Sequence, residues 1–373
     1  MRSLEVGALR RWGVVLAIVL IAIVVASVGL IAARRYLWYV PTTTTTTTTL
    51  HLTYIQPPKL SSSLSSFLEK ECGKAYGLLV LIYLRTPPSK EYQNAMKSIF
   101  DQIVHKWTKY SGNLTLCTIS LSSLEKLGLK IDAFVFPTIA VTIDKEISKQ
   151  FARAFNTVDG LLVAKPELTS LIYLRLMNYM PLSSIPVETD RMPELNSDIP
   201  MIGSPSARYV LFIYEDDHCP FCAKFYNDTL PMLLKLVKEG KLAIVFKNLI
   251  VHAISREQHY YLEAMYLATH NATAYFEAMK IIYLKYILKD REVTLDQVLS
   301  LIKNLTGLTR TQLDKYLNKA REVVEMDSRE AAQYGIMGTP GFVLWDRERG
   351  YGIIFIGYRN PEQMESLLHK VGA

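Results

Sequence analysis

Two cysteines stand two residues apart at Cys219-Pro220-Phe221-Cys222, and their setting constrains the fold more than any other stretch of the chain. An apolar run over residues 209–214 leads into them, and residues 223–236 read as helix after them. The pair therefore belongs where a strand hands over to a helix N-terminus. Unpaired N–H groups and the helix dipole at that point stabilise a thiolate. Two thiols at this spacing close a small ring and open it again, which suits them to disulfide exchange. The other use of such a spacing is half of a zinc site, which needs four ligands, often from two knuckles. Cys72 and Cys117 lie far upstream, and His218, His252 and His259 form no second knuckle. Dithiol chemistry without a metal or an organic cofactor is the expectation.

The chain has 373 residues, 50% of them apolar, which suffices for two domains with a core each. Its net charge of +7 is spread among acids, with no basic stripe interleaved with aromatics, so no nucleic-acid partner is expected. Four cysteines are too few for a disulfide scaffold.

Residues 12–33 carry no charge and exceed the ~20 residues that a helix needs to cross a bilayer. They predict an uncleaved transmembrane anchor in contact with the lipid bilayer. Arg2, Arg10 and Arg11 precede the span and Arg34 and Arg35 follow it, which places residues 1–11 in the cytoplasm. The rest of a single-pass cell-membrane protein would then be extracytoplasmic, on the oxidising side where disulfides persist. An unbroken threonine run over 42–49 marks residues 34–60 as a stalk.

A first folded unit is expected over 61–180, in the order α-β-α-β-α-β-β-α. Its strands fall at 78–84, 114–119, 138–143 and 161–164. Its long helix, 90–110, shows helical spacing of Tyr92, Met96, Ile99, Ile103 and Trp107. Proline-rich residues 181–202 read as a linker. A second unit over 203–373 has strands at 209–214, 242–248, 341–345 and 352–356. An almost purely helical stretch, about 255–334, lies between the second and third of these. Within it, Thr309 and Gln312 make a capping box, and Gly335 is a helix stop.

The second unit resembles the DsbA-like branch of the thioredoxin superfamily over about residues 202–370. The resemblance is carried by Gly203 to Ala207 before the strand, by Cys219 to Cys222, by Val245 to His252, by the helical insertion, and by Gly335 to Pro340. It implies an α/β thioredoxin-like fold. It also implies that Cys219 is an exposed nucleophile and Cys222 a buried resolving thiol. Pro340 would be a cis-proline opposite the pair, with Thr339 presenting backbone to substrate beside Pro220 and Phe221. Phe221 stands where strongly oxidising members carry histidine, so Cys219 is expected to be less acidic than theirs. Glu215, Asp216 and Asp217 read as a solvated turn, and His218 and His252 as structural or surface residues.

The first unit resembles a thioredoxin-like domain more faintly. Phe136-Pro137-Thr138 is similar to a cis-proline loop, and Thr86 and Ser89 stand where thiols would be, which implies a redox-inactive module. Cys72 and Cys117 are expected at opposite ends of the first unit's sheet, too far apart to bridge. The resemblance implies a protein thiol-disulfide oxidoreductase acting on cysteine-containing protein substrates, with an unidentified redox partner protein. Its rivals are a non-catalytic chaperone or binding protein and a glutathione-dependent small-molecule enzyme.

Overall fold

The computed structural model describes residues 52–176 and 187–372. The predicted cytoplasmic segment, the span 12–33 and stalk residues 34–51 lie outside the described residues. Among the described residues no helix is long and apolar enough to cross a membrane.

The first sheet has strands β1 (Leu78–Tyr83), β2 (Thr115–Ser120), β3 (Thr138–Thr142), β4 (Phe155–Val158) and β5 (Leu161–Ala164), in the order β2-β1-β3-β5-β4. The β1–β2 pair is parallel and the others are antiparallel. The second sheet has β6 (Glu188–Thr189), β7 (Met201–Ile202), β8 (Tyr209–Glu215), β9 (Leu242–Asn248), β10 (Gly341–Asp346) and β11 (Tyr351–Ile356), in the order β6-β11-β10-β8-β9-β7. Here β8 and β9 are parallel and all other neighbours antiparallel. The quartet β2-β1-β3-β5 thus repeats, in order and direction, as β9-β8-β10-β11. In each, the third strand in sequence follows a cis X–Pro bond: Phe136–Pro137 before β3 and Thr339–Pro340 before β10. Both halves therefore have the thioredoxin-like topology that the resemblance implied.

Sequence periodicity explains which faces are covered. In β8, Tyr209, Leu211 and Ile213 join one core, while Val210, Phe212 and Tyr214 join another. In β1, Leu79 and Leu81 face that second core, and Leu78, Val80 and Ile82 face a third. Strands buried on both sides have no polar face, hence their continuous apolar runs. The second core is shared between the sheets. Tyr92, Met96, Ile99 and Phe100 of α2 (Lys90–Trp107) belong to it together with Val343 and Trp345 of β10.

The insertion is helical from Ser255 to Gln333, between β9 and β10, as expected. The expected Thr309–Gln312 capping box is present, and a 3-10 turn at Asp314–Tyr316 separates the short helix it starts from the helix Leu317–Gln333. The helix expected over 223–236 is two: Pro220–Asp228 ends at Thr229, and Leu230–Lys238 begins with a proline in its first turn. Proline lacks the N–H that a continuous helix would need there.

The expectation for Cys72 and Cys117 is overturned: they form a disulfide, with Cα atoms 5.6 Å apart. Cys72 is the last residue of helix α1 (Ser62–Cys72), which Gly73 terminates in a left-handed conformation at φ 79°. Cys117 is the third residue of β2, opposite Val80, and so lies towards the start of β1 rather than beyond its far end. The chain between Cys72 and β1 is a short turn, which brings both thiols to one end of the sheet.

Candidate functional site: a dithiol at a helix N-terminus

Cys219 is the N-cap of the helix Pro220–Asp228, with a proline in the first turn and no side-chain cap. The first-turn N–H groups therefore point towards its sulfur. Cys219 and Cys222 are both free thiols. The expectation of an exposed Cys219 is corrected: it is 4% exposed, against 1% for Cys222. The Cys219 Sγ donates to the carbonyl oxygen of Thr339 at 3.3 Å. Because β8 pairs with β10, and Tyr214 stands opposite Gly341, the turn after β8 meets the turn before β10. Phe221 is 58% exposed and Met337 45% exposed, giving the rim of the dithiol an apolar character.

The Cys219 thiol is lowered to about 6. The Cys222 side chain is the largest cause, donating to the developing thiolate. Burial opposes the shift, and the Thr339 side chain and the backbone N–H groups of Cys222 and Phe221 assist it. Cys222 goes the other way, raised well above its ordinary value by burial, with the charge of Cys219 and Glu215 adding to the effect. One sulfur is thus a thiolate near neutral pH while the other keeps its proton.

The three acids before the motif are not a solvated turn. Glu215, Asp216 and Asp217 are each 0% exposed. Burial pushes the Glu215 carboxyl up to about 8, although the Tyr226 hydroxyl donates to its Oε1 at 3.1 Å. Asp216 stays ionised. Burial would raise its pKa, but the hydrogen bonds it accepts prevail and lower it. Those bonds come from the N–H groups of Val251 (2.7 Å), His252 (2.8 Å) and His218 (2.9 Å), and from the Ser255 hydroxyl (2.6 Å). Asp216 therefore ties the loop after β9 to the turn that carries Cys219. Asp216, Asp217 and His218 bring ligand-type atoms within 4.8 Å of one another. Within the group His218 Nδ1 bonds Asp217 Oδ1 at 2.8 Å, and neither cysteine joins it.

Sequence reasoning assigned His259 no part in this site. The Nε2 of His259, fully buried, accepts the Asp217 N–H at 3.1 Å. Its Nδ1 therefore carries the proton and donates to Asn248 Oδ1 at 2.7 Å. The Asn248 amide in turn donates to Glu263 and Asp327, each at 3.0 Å. Lys247 completes the network, 3.0 Å from both Asp327 and Glu330. The polar pair Lys247 and Asn248 at the end of the otherwise apolar strand β9 was the signal for it in the sequence. His252 stays at the surface as expected, whereas His218 is largely enclosed.

In the first unit the corresponding helix, α2, has Ser89 as its N-cap. By helix position Ser89 stands where Cys219 stands and Tyr92 where Cys222 does, one register away from the expected Thr86 and Ser89. No thiol occupies either position.

Residues 196–370 match the thioredoxin family. Among similar solved structures, oxidised BdbD from Bacillus subtilis is 18% identical, with a TM-score of 0.39, covering 46% of this chain and 92% of that one. DsbA2 from Pseudomonas aeruginosa is 20% identical, with a TM-score of 0.39, covering 49% and 97%. The catalytic domain of ScsC from Proteus mirabilis is 20% identical, with a TM-score of 0.36, covering 47% and 89%. No curated protein matches the chain. The stretch over residues 196–370, with its cysteine pair at a helix N-terminus and its helical insertion, is thus similar to the thioredoxin family.

Proposed function

We propose that the chain is a membrane-anchored thiol-disulfide oxidoreductase that exchanges disulfides with extracytoplasmic proteins through Cys219 and Cys222. The observation that carries the reading is the opposed acidity of the two thiols, Cys219 lowered to about 6 and Cys222 raised. The Cys219 thiolate attacks one sulfur of a substrate disulfide. That S–S bond breaks, and the other substrate sulfur leaves as a thiolate and takes up a proton. Cys222 then gives up its proton to solvent and attacks the Cys219 sulfur. The second substrate thiolate leaves, the substrate is reduced and the enzyme pair is oxidised. The reverse sequence transfers a disulfide to the substrate. Thr339 and Pro340, with Pro220 and Phe221, would line the position of the substrate chain. The uncharged span 12–33 supports the anchor, and oxidising surroundings suit the chemistry.

Insulin reduction and refolding of scrambled ribonuclease by the wild type and Cys219→Ser test the reading. Both activities should vanish in the variant. Retained activity would reject Cys219 as the nucleophile. An impermeant thiol reagent should label reduced Cys219 on intact cells; labelling only after lysis would place the domain in the cytoplasm.

A further inference from the structure

The segment 187–189, inside the expected linker, is held at once by two turns of the first unit and by the second sheet. On one side Glu188 exchanges two backbone hydrogen bonds with Phe136, N–H to O and O to H–N, each 2.8 Å. On the other side it is strand β6: Glu188 stands opposite Ile353 and Thr189 opposite Gly352, and the Ile354 N–H donates to the Val187 carbonyl at 2.9 Å. Alternate residues of an extended segment aim their backbone groups at opposite neighbours, which is how three residues serve two partners.

The side chain of Glu188 is as fully engaged as its backbone. Its Oε2 accepts the N–H groups of Arg85 at 3.0 Å and Thr86 at 3.4 Å, and its Oε1 accepts the Thr86 hydroxyl at 2.9 Å. These donors sit on the turn between β1 and α2, the position that carries Cys219 in the second sheet. Glu188 is 9% exposed and Thr189 0%. The same turn is fastened to the β10–β11 hairpin by Arg85, whose Nη2 donates to the Arg349 carbonyl at 2.8 Å and whose guanidinium lies 4.3 Å from the Tyr351 ring centroid.

A backbone pair at Phe136 and a cradle of two N–H groups and a hydroxyl for a carboxylate form a built site for an extended peptide with an acidic side chain. We propose that the first unit is such a binding module and that residues 187–189 of this same chain are its resident ligand. A tethered ligand sees an effective concentration in the ~mM range, so a foreign peptide does not displace it while Glu188 is in place. The first unit is therefore closed to outside peptides in the intact chain. This inference does not depend on the reading of Cys219.

Amide hydrogen exchange on the full chain tests it. In the wild type the amides of Arg85, Thr86 and Phe136 should be protected and indifferent to a synthetic peptide with the sequence of residues 186–191. In Glu188→Ala their protection should fall about tenfold or more, as expected for losing bonds to a charged group. The synthetic peptide at mM concentration should restore it, and the same peptide with glutamine for glutamate should not. Unchanged protection in Glu188→Ala, equal rescue by both peptides, or rescue by neither would overturn the proposal. If Glu188→Ala does not fold, Thr86→Val decides: it should weaken protection at Arg85 and Phe136, and no change there rejects the carboxylate cradle.

Discussion

The sulfur of Cys219 and the carbonyl oxygen of Thr339 are 3.3 Å apart although 120 positions separate them in the chain. The contact follows from the antiparallel pairing of β8 with β10, which sets the turn leaving one strand against the turn entering the other. It places the Cys219 sulfur against the backbone of the turn that precedes β10.

Reduced Cys219 should alkylate with a pH midpoint near 6. Cys222→Ala removes the largest cause of that acidity and should move the midpoint upward, with Thr339→Val giving a smaller upward shift. Thiolate absorbance against pH checks all three proteins. A Cys222→Ala midpoint at or below the wild-type value would show that the second thiol does not stabilise the first.

The two thiols should also differ in trapping. Cys222→Ala should accumulate mixed disulfides through Cys219, and Cys219→Ala should not. Non-reducing gels of cells expressing each variant give the answer, and equal adduct levels would contradict the division of labour.

Stability of the reduced protein should depend on Glu215. Its folded pKa is about 8 and its ordinary value 4.5. Between those limits the unfolded chain has lost the proton and the folded chain keeps it, so stability falls as pH rises across that window. Glu263, also raised to about 8 by burial, acts in the same direction. Cys219, lowered to about 6, has the opposite sign and adds stability above that pH. Glu215→Gln should therefore flatten the decline. Urea midpoints at about pH 5 and about pH 8 would show it, and an unchanged slope would mean that Glu215 is ionised in the fold.

Loss of the Cys72–Cys117 bridge should cost about 4 kcal/mol for its 45-residue separation, on the loop-entropy account. Cys72→Ser with Cys117→Ser should lower the melting temperature without moving the Cys219 titration, because the bridge lies in the other sheet. Calorimetry and alkylation on the same sample separate the two effects.

Much of the second unit was legible because long apolar runs and a helix stop leave few alternatives. Leu242–Asn248 has the bounds its composition suggested, and Gly341–Asp346 and Tyr351–Ile356 differ by one residue at one end. Phe155–Val158 was not legible. Its Asn156 and Thr157 are exposed on an edge strand, and a four-residue half-polar run has no readable period. Glu188–Thr189 is shorter still and lies among prolines, so only its partners define it as a strand. At the site, the cysteines and the Thr339–Pro340 turn were visible as a motif. Burial of Glu215, Asp216 and Asp217 was not, because three adjacent acids look solvated until Ser255, His259 and the N–H groups of residues 251 and 252 are folded around them. The disulfide was missed because its geometry depends on a turn that folds Cys72 back towards the start of β1.

The core that Tyr92 and Phe100 share with Val343 and Trp345 joins the two sheets into one compact unit, residues 52–373. Residues 187–189 are then a seam between the sheets rather than a hinge, and the turn that carries Cys219 has its place relative to the first sheet set by packing instead of by the length of a connecting segment.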